Sequence, residues 1–272
     1  MLPAVRSVPD RSVPAPPTNH QPRAGPGAGA APSPKRLARI AGVLYLLVAV
    51  FGGFAQGFVE PTMYVAGDAA ATAGNVVANA GLVRQGVVAE LVGQTFFVFL
   101  ALTLYALLAH VHRSAARAML VLVALAAGIV CLTAVFEFAG LRVATGAEGG
   151  QVDGAAGSDA VVLLLLDTQH DGVLVAQIFF GRWLVPLGYL AHTSGWFPTA
   201  LSVLLVAAGA SSVVDLLAAF LVPDVAQTIH PFVVIPVVAV AEIWMVLYLL
   251  EIGVRSVRPV SLSAEALSSR PA

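Results

Sequence analysis

Six long, mostly apolar runs divide this chain, at residues 37–59, 84–111, 115–141, 172–191, 199–222 and 232–253. Each can cross a hydrocarbon layer about 30 Å thick, which takes about 20 residues of helix. Inside lipid no water satisfies an exposed peptide group, so a spanning segment must be a helix or part of a closed barrel. A barrel needs short segments of alternating polarity, and none occurs. The runs therefore predict an all-α fold, a polytopic membrane bundle of six transmembrane helices. Composition agrees: 58% of residues are hydrophobic and 11% charged, with a mean hydropathy of +0.88, where soluble domains carry about 25% charged residues. A net charge of -1 and the lack of a basic stripe exclude nucleic acid as the expected partner. The lipid bilayer takes that place. The single cysteine, Cys131, lies in an apolar run, so neither an intramolecular disulfide nor a cysteine-based metal site is expected.

Residues 1–34 are rich in proline and glycine, which predicts a disordered tail. The first apolar run follows too late, and is too long, for a cleaved signal peptide. Residues 35–255 form the predicted six-helix domain, and 256–272 a second disordered tail. The linker at 60–83 predicts a short interfacial helix with Val76, Val77, Ala80 and Leu82 broadly on one side. The apolar stretch ending at Asp167 is too short to span alone. It predicts a separate short helix capped near Ser158 or Asp159. Lys35, Arg36, Arg39, Arg113, Arg117, Arg255 and Arg258 fall on one side of the layer and only Arg84 and Arg142 on the other. That asymmetry predicts cytoplasmic N- and C-termini.

Several short motifs recur in a fixed order: Arg39-Ile40-Ala41-Gly42-Val43-Leu44-Tyr45-Leu46, Thr72 to Asn75 ahead of Leu82-Val83-Arg84, Leu104-Tyr105-Ala106-Leu107-Leu108, and Phe180-Gly181 with Leu187-Gly188-Tyr189-Leu190. Together with the six-run layout, they make residues 36–254 resemble the bacterial domain-of-unknown-function 4386 family. The resemblance implies a six-helix integral protein of the bacterial cytoplasmic (inner) membrane. It implies no activity, cofactor or functional residue. The chain departs from the family pattern at Trp196-Phe197-Pro198-Thr199-Ala200, which lacks a basic residue after the proline.

Function can show only in the polar groups inside the runs. Arg182 stands near the middle of the fourth, where a guanidinium costs roughly 2.5–3.5 kcal/mol on insertion scales. At about 1.5 Å per residue, Glu90 and Asp215 lie about 10 Å from the outer ends of their helices, Gln94 one turn below Glu90, and Arg182 and Glu242 about 15 Å in. The bland expectation is pairing of Arg182 with Asp215 or Glu242, with Gly181, Gly188, Ala207, Ala208 and Gly209 permitting close helix approach. Three deep carboxylates nevertheless face one deep cation. At least one of them must carry a proton or be matched by a bound cation. Arg182, Glu242, Asp215, Glu90 and Gln94 are therefore the candidate site for a small solute or cation. A different class of reading is a membrane-embedded enzyme, with His170 and Asp171 at the edge of the fourth run and His230 at the edge of the sixth as metal ligands beside Glu60 or Asp167. No HExxH or paired-histidine spacing supports it. A structural or accessory membrane subunit is the third reading. No phosphate loop or nucleophile elbow occurs, so no cofactor is expected.

Overall fold

The computed structural model describes residues 33–146 and 154–254. Apart from Ser33 and Pro34, the two predicted tails lie outside the described residues, as does the acidic loop at 147–153. The helices are α1 (Pro34–Met63), α2 (Ala69–Ala78), α3 (Ala80–Leu108), α4 (Arg113–Ala144), α5 (Ala155–Ser194), α6 (Thr199–Leu221), α7 (Pro223–Ile229) and α8 (Ile235–Glu251). No strand occurs among the described residues. Among the described residues six helices are long and apolar enough to cross a membrane, namely α1, α3, α4, α5, α6 and Phe232–Glu251. The all-α, six-helix expectation holds.

Each long helix packs on its neighbour in sequence: α1 on α3, α3 on α4, α4 on α5, α5 on α6 and α6 on α8. Helix α8 then returns to α1 and closes a ring. Short connections at 109–112 and 195–198 leave antiparallel packing as the simplest solution. Local chemistry sets the turns. Ser33 precedes Pro34 at the first turn of α1, where a missing N–H costs nothing. Asp68 caps α2 by accepting from the Ala71 N–H at 2.9 Å, and His112 caps α4 through Nδ1 at 3.2 Å from the Ala115 nitrogen. Gly195, at φ 67°, ends α5 in the left-handed region that favours glycine. The main core runs through the ring, with Phe97, Leu100, Leu104, Met119, Trp183 and Leu187 fully buried.

Two local expectations change. The stretch before Asp167 is not a separate helix. It continues into the fourth span as one 40-residue helix, α5, about 60 Å long. Gly172, the first residue of the predicted fourth run, is a helix contact inside α5. A Cβ there would collide with Thr133 Cγ2 of α4. The excess length of α5 buries Val162 and Leu166 against Val59, Met63, Ala73, Val76 and Leu141. Helix α2 packs on α4 and α5, and Val77 points outward, so its buried face is rotated from the predicted one. Gly172→Ala is expected to cost about 1–3 kcal/mol by overpacking. Thr133→Ser in that background removes the colliding methyl and keeps the hydroxyl bond to the Val130 carbonyl, so the melting temperature of the pair should recover most of the loss.

Two helices contain a π-helical turn. Ala55–Val59 lies within α1, and His230–Val234 leads into α8. One extra residue per turn widens the helix locally, and such turns concentrate at functional sites. Both turns border the same space.

Candidate functional site

The site arises from how α1 and α8 part. Near one end of the bundle they are in close contact: a Cβ on Gly42 would sit 3.0 Å from Leu250, and one on Gly253 would sit 3.6 Å from Ala38. Further along α1 the glycines face open space. At Gly52, Gly53 and Gly57 a Cβ meets nothing within 4 Å. The helices thus diverge, and α5 and α6 complete the walls of a cavity of about 650 Å³. That volume is typical of small-molecule sites. Its polar lining consists of Gln56 and Glu60 from α1, His170 and Gln177 from α5, Ser212 and Asp215 from α6, His230 from the second π turn and Glu242 from α8.

Two histidine–carboxylate pairs stand at the mouth. His170 Nδ1 lies 2.8 Å from Glu60 Oε1, and His230 Nδ1 lies 2.6 Å from Asp215 Oδ2. Both imidazoles are about half exposed, while the Asp215 side chain is 4% exposed. The pairs should therefore differ in weight. Asp215→Ala removes a buried, charge-assisted bond and is expected to cost about 1.5–3 kcal/mol, whereas Glu60→Ala, at a wetter pair, should cost under about 1 kcal/mol. Thermal melting of the two variants reads the difference.

Tyr64, just past the end of α1, braces the mouth. Its hydroxyl donates to Asp167 Oδ1 at 2.6 Å, and its ring stacks on His170 with centroids 5.4 Å apart. Burial, then the bond to Asp167, then the negative charges of Asp167, Asp171 and Glu60 push its phenol up to about 12. The folded state thus favours the protonated phenol. That contribution is complete below the ordinary value of about 10 and is lost as the pH rises towards about 12. The melting-temperature advantage of the native protein over Tyr64→Phe should shrink across that window.

A second cavity of about 490 Å³ lies deeper in the ring and shares Gly52, Gly53, Gln56, Phe180, Ala239 and Glu242 with the first. Here Gln56 Nε2 and Gln94 Nε2 both donate to Glu90 Oε1 at 3.2 Å. The wall is aromatic. Phe97 stacks on Phe180 at 5.1 Å, Trp183 meets Phe97 edge-on at 5.1 Å, and Tyr45 leans on Trp183 at 5.7 Å. Tyr45 Oη faces Glu242 without reaching hydrogen-bond geometry. Three buried oxygens on residues lining the two cavities, Asp215 Oδ1, Gln94 Oε1 and Tyr45 Oη, have no hydrogen-bond partner among the described residues. Each such orphan costs about 1–3 kcal/mol unless a partner satisfies it.

The structure gathers most of the sequence candidates. Asp215, His170, His230 and Glu242 line the outer cavity, and Glu90, Gln94 and Glu242 the inner one. Arg182 and Asp171 line neither and are exposed. The expected pairing of Arg182 with Asp215 or Glu242 does not form, and Asp215 meets His230 instead. Gly181 and Gly188 commit their face of α5 to α6, and one residue further round, about 100°, turns Arg182 to the outside. Its compensation is not supplied by the cavity carboxylates. Among the described residues no three of His, Cys, Asp and Glu lie close enough to hold a metal ion. Gln56, Gln177, Ser212 and Tyr45 are site residues that sequence reasoning passes over. The glycine-flanked amide in Gly52-Gly53-Phe54-Ala55-Gln56-Gly57 was the available signal.

A ring of six apolar helices, each long enough to cross a membrane, makes this chain a helical bundle of the membrane-spanning type. It belongs to the family described as Domain of unknown function (DUF4386), whose model matches residues 40–253. No curated protein and no solved structure matches it.

Proposed function

We propose that this is a multi-pass protein of the bacterial cytoplasmic membrane, with cytoplasmic N- and C-termini, that binds and carries a small cationic solute through the two cavities. The observation that supports it is the charge of the lining. Glu60, Asp215 and Glu242 face the outer cavity, and its described lining contains no lysine or arginine. Its two histidines pair with Glu60 and Asp215 and leave Glu242 without a cationic partner there. An excess of carboxylates in a low-dielectric wall focuses the field and concentrates counter-ions. Lys35, Arg36, Arg39, Arg113 and Arg117 belong to the opposite end of the bundle, which the charge rule assigns to the cytoplasm, so the mouth faces outward. A cation entering there passes the two histidine–carboxylate pairs and reaches Glu242, about 15 Å along the helix from Phe232. The π turns of α1 and α8 are where these walls can shift during passage.

Gly53→Leu tests this reading. The leucine enters open space, so the ligand-free melting temperature should be unchanged, while the melting shift produced by methylammonium, and its uptake into proteoliposomes, should be lost. Unchanged methylammonium binding and uptake in Gly53→Leu would sink the proposal.

A further inference from the structure

Resting on that reading, we infer that the cation is the head of a single-chain amphiphile, a primary alkylammonium whose tail occupies the inner cavity and enters sideways from the bilayer. Three observations converge on it. The first is the kind of partner the cavities lack. Asp215 Oδ1 and Gln94 Oε1 are acceptors, Tyr45 Oη accepts as well as donates, and all three residues are at least nine-tenths buried. Of the three, Asp215 Oδ1 lines the outer cavity, and a ligand head that satisfies it must donate hydrogen bonds. A protonated primary amine donates three, while a quaternary ammonium donates none.

The second is the change of character along the α1–α8 cleft. Towards the mouth its walls are carboxylates, histidines and amides. Deeper in, beyond the shared Glu242, Tyr45, Phe97, Phe180 and Trp183 with aliphatic neighbours make up most of the wall. The only polar groups beside them in the described lining are Glu90 and the two amides, Gln56 and Gln94, that donate to it. A charged head near Glu242 and Asp215 and an apolar tail against the aromatic wall would each meet matching surface. The third is the side opening. Leu46 and Ala49 of α1 and Ile243 and Leu247 of α8 line the inner cavity, yet all four are exposed on the flank of the ring. The two helices close below this slit at Gly42 and Leu250. The inner cavity therefore opens towards lipid, at the depth where acyl chains lie, while the polar cavity opens at the bundle end. That disposition suits an amphiphile whose head lies in the polar cavity and whose tail reaches the side slit.

The test compares butylammonium, decylammonium and decanol by thermal melting of the purified full-length protein in a non-ionic detergent. Decylammonium should shift the melt at a concentration at least about tenfold below that for butylammonium, since each buried methylene contributes about 0.8 kcal/mol and only part of the tail need be covered. Decanol should give no shift in that range. Ala49→Trp, at the slit, should erase the gain from chain length and leave butylammonium binding unchanged. Butylammonium binding with no gain for the longer chain would overturn the amphiphile inference and leave the small-cation reading standing. Equal shifts from decanol and decylammonium would also overturn it, because the groove would then not read charge. Failure of both amines to bind would overturn the small-cation reading itself.

Discussion

Glu242→Gln is expected to weaken methylammonium binding about 30-fold or more without changing the fold. Glu242 sits on the wall common to both cavities and is half-buried. Glu60 and Asp215 each have a histidine at hydrogen-bond distance, whereas Glu242 faces only the Tyr45 hydroxyl, outside hydrogen-bond geometry. Its carboxyl group is therefore the one most available to a ligand. Removing one member of a buried charge pair costs about 2–5 kcal/mol, and every 1.4 kcal/mol is tenfold in affinity. Glutamine keeps the shape and loses the charge. The ligand-free melting temperature should therefore stay where it was, and calorimetric affinity should fall. Glu90→Gln is the control. Its carboxylate already accepts from two amides, so its effect on methylammonium should be only a few-fold.

The largest stability effect is expected at Gly188. A Cβ there would lie 2.7 Å from the Ser202 carbonyl oxygen, 2.8 Å from Val206 Cγ2 and 3.1 Å from the Val206 nitrogen. Two of those atoms are backbone, so no rotamer change relieves the collision. Gly209 makes the reciprocal approach one turn away, with a Cβ position 2.7 Å from the Gly181 carbonyl oxygen. Close approach through small residues is how helices associate in lipid, where apolar side chains gain little by leaving the solvent. Gly188→Leu must push α5 and α6 apart along that seam. A cost of about 3 kcal/mol or more is expected, read as loss of the monodisperse folded species on gel filtration. Gly128→Leu, where a Cβ meets nothing within 4 Å, should be tolerated.

The fold was legible because its determinants are local and strong. Six apolar runs, the caps at their ends and the short turns at 109–112 and 195–198 leave few arrangements. The failures share one physical origin, the direction in which a residue points. Depth can be counted from a helix end, so Glu90, Glu242 and Asp215 were placed in the same layer, and the structure puts them on connected cavities. Azimuth cannot be counted without knowing which face packs. Arg182 follows a glycine that faces α6, and one residue of rotation takes it out of the cluster. The stretch ending at Asp167 read as a separate helix because its apolar run is short, and the helix continues through Gly172. The role of Gly172, admitting the Thr133 side chain, depends on a partner helix that the sequence pattern does not identify. The π turns depend on a single extra residue per turn and left no mark in the hydrophobic pattern.

The most direct measurement of the central claim, an outward-open cavity that selects cations, is thiol modification at Gly57→Cys in a Cys131→Ala background. Gly57 lines the outer cavity, and a Cβ there meets nothing within 4 Å. Intact cells are treated from outside with membrane-impermeant thiosulfonates of opposite charge and similar size. The cationic reagent should react at least about tenfold faster than the anionic one, as field focusing in an acidic cleft requires. The ratio should fall towards one when Asp215→Asn and Glu242→Gln are added. Equal rates for both charges in the native lining, or a thiol unreactive to either reagent, would contradict the account.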